Sequence, residues 1–197
     1  MNRPPLDIVE VQGTATDVAH QFGKIRARKI AVRVDYWNRL LGILFKGKRD
    51  KLKDLEKGFL AAANRAAPHY IEEIRALADG SGLPFVDLFR LNLTELKAFA
   101  EKCSTLIIPF ATRAGKKILI AHNEDWDPRQ NDVLILKAKL PDVSYSILAY
   151  DGYLPGLSSG LNSHGLCHAI NYVLARDIRP AMPRIFITRF LVTARNT

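Results

Sequence analysis

The run Lys102-Cys-Ser-Thr-Leu-Ile-Ile-Pro-Phe-Ala-Thr-Arg-Ala-Gly-Lys-Lys-Ile-Leu-Ile-Ala-His-Asn-Glu-Asp-Trp-Asp127 decides the fold. It contains two short apolar runs, Cys103 to Phe110 and Lys117 to His122, on either side of Arg113-Ala-Gly-Lys116. β-Branched runs separated by a short glycine-containing break predict a hairpin. A thiol opens its first strand, and a block of amides and carboxylates closes its second. The apolar period is helical upstream of this point and mostly that of strands downstream.

Upstream, Leu6 to Gln12 alternate loosely and predict a short strand. Gly13 turns the chain, and Thr14 to Asp17 supply an oxygen-bearing cap and a first-turn acid. Val18, Phe22, Ile25, Ile30, Val34, Trp37, Leu41 and Leu44 then predict a helix over about 16–45. Gly47 breaks it. A second helix is expected over about 50–66 and a third from Pro68 to the glycines at 80 and 82. A fourth is expected from Phe85 to Phe99.

Downstream, Val133 to Leu140 and Ser144 to Tyr150 read as strands separated by Pro141-Asp142. Gly165 to Tyr172 reads as a further strand, and Pro183 opens a last helix. Helices first and an antiparallel meander after them make the class α+β. The period change near residue 102 divides one domain into a helical region, 1–102, and a strand-rich region, 103–197.

The chain has 197 residues, 48% hydrophobic and 25% charged, which is ordinary globular composition. No apolar run reaches the ~18 residues of a membrane span, and Met1-Asn-Arg-Pro-Pro5 starts no apolar signal segment. A cytoplasmic setting is expected. The net charge of +9 peaks in Lys46-Gly-Lys-Arg-Asp-Lys-Leu-Lys53. Without interleaved aromatics this run reads as a solvated helix junction, not a nucleic-acid surface. The charge is compatible with an anionic thioester such as acyl-CoA as substrate.

Two cysteines, Cys103 and Cys167, make neither a disulfide framework nor a metal signature. No histidine pair has zinc-ligand spacing, so no metal is expected. Cys103 is either a small buried hydrophobe at a strand head or a nucleophile. As a nucleophile it needs a base. One candidate is His122, 19 positions later across the hairpin. The other is the chain's own amine. If the Lys102–Cys103 bond is cut, the new α-amino group has an unperturbed pKa of about 7.7–8.0, suited to neutral pH.

The block Asn123-Glu124-Asp125 returns across the hairpin to the level of the thiol, with Asn123 and Asp125 on one face and Glu124 on the other. Asp125 is a candidate to hold the α-ammonium, and Asn123 and Glu124 are candidates to support the site or bind substrate. Asn171, an amide in an apolar stretch, needs partners if buried and is a candidate oxyanion donor. Asn162 reads as a turn former.

These residues together resemble the acyl-CoA:6-aminopenicillanic acid acyltransferase family of autoproteolytic Ntn hydrolases. The resemblance rests on Gly13-Thr14 with Asp17-Val18 and Gly23, on Tyr70 to Gly80, and on Glu95. It continues through Cys103-Ser-Thr105, His122 to Trp126, and Gly160-Leu-Asn162-Ser-His-Gly165 with Asn171. It implies an αββα sandwich and self-cleavage at Lys102–Cys103 into an α chain and a β chain. It also implies catalysis by Cys103 with its own amine as base, and gives Asp125 and Asn171 supporting roles. Its substrate would be a small-molecule amide or thioester, with no cofactor, nucleic acid or membrane required. This chain departs from the family at Lys102, where glycine is usual. Members also continue past residue 197, so a truncated member is expected. The rival expectation is a catalytically incomplete relative that serves as a binding module.

Overall fold

The computed structural model describes residues 6–96, 103–113, 115–125, 133–171 and 177–195. Strand β1 (Asp7–Gln12) leads into α1 (Ala15–Leu44), α2 (Arg49–Ala66), α3 (Pro68–Ser81) and α4 (Phe85–Asn92). A 3-10 turn (Thr94–Leu96) precedes the hairpin of β2 (Cys103–Thr112) and β3 (Gly115–Glu124). Then come β4 (Val133–Lys139), β5 (Ser144–Tyr150), β6 (Gly160–Asn162), β7 (Cys167–His168) and α5 (Arg184–Thr193). The α+β class stands. Among the described residues, no helix is long and apolar enough to cross a membrane.

Helix α1 starts for a local reason. Thr14 caps α1 in a reciprocal box: its side chain accepts from Asp17 N–H, and the Asp17 carboxylate accepts from Thr14 N–H. Helices α1 and α3 cross closely because Gly23 and Gly80 face each other's backbones. A Cβ at Gly80 would stand 2.1 Å from the His20 carbonyl oxygen, and one at Gly23 2.5 Å from that of Leu77. The basic run at 46–53 lies at the exposed start of α2.

Five strands form one sheet in the order β1-β4-β5-β6-β7. Four of them, β4 to β7, make an antiparallel meander that takes in the unexpected β6 and that the hairpin, expected to open it, does not join; β1 joins its edge parallel to β4. One face, with Val9, Val11, Leu134, Leu136, Ala138, Tyr145, Ile147 and Ala149, packs on α1 and α3. The opposite face, with Ile8, Glu10, Lys137, Ser144, Ser146 and Leu161, is exposed. The hairpin forms a separate two-stranded sheet, and Ile107, Ile118 and Leu119 stay more than half exposed on it.

Two expected elements are shorter than their sequence pattern. Helix α4 stops at Asn92, not Phe99, and residues 97–102 lie outside the described part. The buried Asn92 carboxamide donates to Leu88 O (2.8 Å) and Gly152 O (2.9 Å) and accepts from Leu154 N–H (2.8 Å). Glu95, just beyond, accepts from the first amide of α5, Arg184 N–H. The strand expected over 165–172 reduces to Cys167–His168. Asn162 turns the chain there, its Oδ1 accepting from the amides of His164 (3.0 Å) and Leu166 (3.1 Å).

Buried ion pairs complete the frame. Arg26 grips Asp151 in a bidentate pair (2.7 and 2.9 Å) and reaches Asp7 at 2.7 Å. Arg189 of α5 meets Glu73 of α3 at 2.8 Å, beside the rings of Tyr70 and Tyr145. Burial pushes the Tyr145 hydroxyl up to about 12.

Asn92→Ala would strip partners from two buried backbone groups, Gly152 O and Leu154 N–H. We expect it to lower unfolding free energy by about 3 kcal/mol in urea titration, since each orphaned buried group costs roughly 1–3 kcal/mol. The exposed Asn64→Ala should stay within about 0.5 kcal/mol of the parent.

Candidate active site at the hairpin base

Antiparallel register fixes which side chains meet. Cys103 pairs with Glu124, Ser104 with Asn123 and Thr105 with His122. Directly opposed residues lie on the same face with Cβ atoms about 5 Å apart. Cys103, Thr105, His122 and Glu124 therefore form a two-by-two array, and all four are half-buried. Ser104, Asn123 and Asp125 are exposed.

Side-chain hydrogen bonds tie the array to the five-stranded sheet. Ser158, buried at the entrance to β6, donates to the Glu124 carboxylate. The Thr105 hydroxyl donates to Asn171 Oδ1 at 3.1 Å and lies 3.0 Å from His122 Nδ1. A hydroxyl has one proton, so with that proton on Asn171 the His122 Nδ1–H is the donor. His122 Nε2 then carries the lone pair. It is buried without a hydrogen-bond partner among the described residues, 4.0 Å from Glu124 Oε2, and the His122 side chain is 5% exposed.

The array can do acid–base and nucleophilic work: a thiol, a carboxylate and an imidazole share one sheltered face. Of the residues expected from sequence, Cys103, His122, Glu124 and Asn171 converge here. Asp125 lies one residue past β3, with Asn123 Nδ2 at 3.5 Å from its Oδ1. Asn171 lies outside any strand and is exposed, yet its carboxamide is engaged by Thr105. Lys102, the expected residue before the cut, lies outside the described residues, as do Trp126 and Asp127.

The remaining polar residues are accounted for elsewhere. Asn162 is structural: besides making its turn, its Nδ2 donates to the carbonyls of Val192 (3.2 Å) and Ala194 (2.8 Å). Neither cysteine is in a disulfide, and desolvation pushes Cys167 up. Burial pushes the His168 imidazole down, towards the neutral form. Among the described residues no group of three or more His, Cys, Asp or Glu could hold a metal ion. Sequence reasoning missed Ser158 and gave Thr105 no specific role. Ser158 has no signal beyond the glycine-punctuated segment around it. Thr105 was legible as the residue facing His122 once the hairpin register is counted.

With this geometry in view, comparison with known proteins is informative. Residues 112–197 match the family described as acyl-coenzyme A:6-aminopenicillanic acid acyl-transferase. The chain is also 30% identical over 161 residues to the beta-alanyl-dopamine/carcinine hydrolase of Drosophila melanogaster. That alignment takes in 70% of this chain and 41% of the relative, so the chain spans less than half of the relative's length. Its relatives are thus enzymes of acyl transfer and hydrolysis.

Thr105→Val keeps the side-chain shape and removes the bridge to Asn171 and His122. Amide hydrogen exchange at 103–106 and 121–124 should speed up roughly tenfold, about the worth of one to two hydrogen bonds. Unchanged exchange there would show that the bridge does not hold the hairpin.

Proposed function

We propose that this chain, whose residues 112–197 match the acyl-coenzyme A:6-aminopenicillanic acid acyl-transferase family, is an autoproteolytic amidohydrolase or acyltransferase of the N-terminal-nucleophile type. The helical region 1–102 is its α chain and the region from Cys103 its β chain. The five-stranded sheet and its helical cover are half of an αββα sandwich. The observation that carries this reading is the register pairing Cys103, at the head of β2, with Glu124, at the end of β3. The thiol stands at a strand terminus, on a sheltered face, beside a carboxylate.

In the cut protein the Cys103 α-amine takes the thiol proton, and Sγ attacks the carbonyl carbon of an amide or thioester. The leaving group departs with a proton, and an acyl-Cys103 thioester remains. Water or an acceptor amine then attacks that thioester and restores the thiol. Asp125, one residue beyond the partner of Cys103, is suited to hold the α-ammonium. Asn171 offers its Nδ2 to the oxyanion, since Thr105 engages only its Oδ1. Asn123 and Glu124 flank the acyl group. No cofactor is called for, and an acyl-CoA thioester is admitted as donor beside a small amide. Two cysteines, neither in a disulfide, support a cytoplasmic setting.

Intact mass of the purified protein tests this. Two fragments separated at Lys102–Cys103 are expected, and Cys103→Ala should give one uncut chain with no measurable acyl release. A Cys103→Ala protein that is still cut, or still active, would refute the reading.

A further inference from the structure

The mechanism above leaves one step without a base. Before cleavage, the nitrogen of Cys103 is an amide, which accepts no proton at neutral pH. The thiol must lose its proton to another group. Nothing in that mechanism uses His122, yet its side chain is sheltered and its Nδ1 is held by Thr105.

We propose that His122 is the base that takes the Cys103 thiol proton in the uncut chain. Three observations meet here. First, the ring sits on the same face as Cys103, diagonal to it across the hairpin, a separation long side chains bridge. Second, the Thr105 contact at Nδ1, itself fixed by Asn171, sets the tautomer and leaves Nε2 as acceptor. This is the orienting role that a third group plays in any nucleophile–base–orienter arrangement. Third, Nε2 is buried without a hydrogen-bond partner among the described residues, while the side chain is only 5% exposed. A buried imidazole nitrogen without a partner is costly, and its lone pair is open to a proton from a neighbouring group.

Two other titratable groups share the array, both from the hairpin: the Cys103 thiol on β2 and the Glu124 carboxylate on β3. Asn171, beyond β7, and Ser158, before β6, are neutral. Glu124 Oε2 lies 4.0 Å from Nε2, on the side where the proton arrives. The step balances simply. Cys103 Sγ–H passes its proton to His122 Nε2, leaving a thiolate and an imidazolium. The thiolate attacks the carbonyl carbon of the preceding peptide bond. As that C–N bond breaks, the imidazolium returns the proton to the departing nitrogen. The products are a thioester on Sγ and a free α-amine, and water then hydrolyses the thioester. From that point the amine serves as base and His122 is released from the task.

This inference deepens the proposed function, but its test is separable from it. The pH dependence of carbamidomethylation of Cys103 by iodoacetamide, read by mass, reports the thiolate fraction. Cut and uncut chains differ in mass and are scored separately. In uncut chain, Cys103 should alkylate with a midpoint at least one pH unit below the ~8.5 of a free thiol. In His122→Gln the midpoint should return to that value, with at least tenfold slower reaction at pH 7. Thr105→Val, which keeps the imidazole, should shift it part of the way. Matching thermal melts and circular dichroism exclude loss of fold as the cause. Where the parent is fully cut, His122→Gln should accumulate uncut chain. An unchanged midpoint, or complete cutting in His122→Gln, overturns the inference. A chain that is never cut but loses its low thiol midpoint in His122→Gln keeps the inference and refutes the cleavage reading instead.

Discussion

The structure depends on one buried loop. Residues 151–158 join β5 to β6 and are buried throughout. A buried loop carries backbone and side-chain polar groups that water cannot reach, so each needs a partner from within. Arg26 of α1 supplies two bonds to Asp151, and Asn92 of α4 satisfies Gly152 O and Leu154 N–H. Removing one member of a buried, hydrogen-bonded charge pair such as Arg26–Asp151 costs about 3–5 kcal/mol. The helical layer thus does more than cover the sheet. It dictates the path of the loop, and the loop ends on Ser158, which holds Glu124.

That dependence explains how an exposed hairpin carries an ordered site. A two-stranded hairpin alone is marginal in water, and Ile107, Ile118 and Leu119 here are more than half exposed. Among the described residues, two side-chain bridges tie its base to the segments flanking β6 and β7, Ser158 to Glu124 and Thr105 to Asn171. Both lie within three residues of the open end of the hairpin, next to Cys103. The distal strands carry exposed apolar side chains, while the base carries the chemistry.

The helices were legible because each rests on local rules. Thr14 and Asp17 form a capping box, and the 3.6 period runs from Val18 to Leu41. The hairpin was legible from its β-branched runs. What could not be read depends on tertiary demand. Asn92 ends α4 because the loop at 152–154 needs its carboxamide, a partner 60 residues away. The strand expected over 165–172 gives way to a turn because Asn162 satisfies two amides and two carbonyls at once. The parallel docking of β1 on β4 joins segments more than a hundred residues apart, which no local pattern encodes. At the site, the alternation of the 122–125 block was legible, but its consequence required the register.

Parity in that register separates the two carboxylates. Side chains alternate along a strand, so a slip of one residue would carry the whole row to the other face. The pairing Cys103↔Glu124 places Glu124 with the thiol and imidazole, and leaves Asp125 beyond the strand end. Two acids side by side in sequence thereby face different environments: Glu124 is bonded by a buried serine, while Asp125 stands in solvent. A sheltered carboxylate acts strongly on a nearby proton, because the low local dielectric amplifies its field. An exposed one is screened but can still meet a charge that appears at a chain terminus. Such a terminus exists only after cleavage, whereas the thiol proton must move before it. The two positions therefore suit different moments of one sequence of steps, Glu124 with His122 before the cut and Asp125 after it.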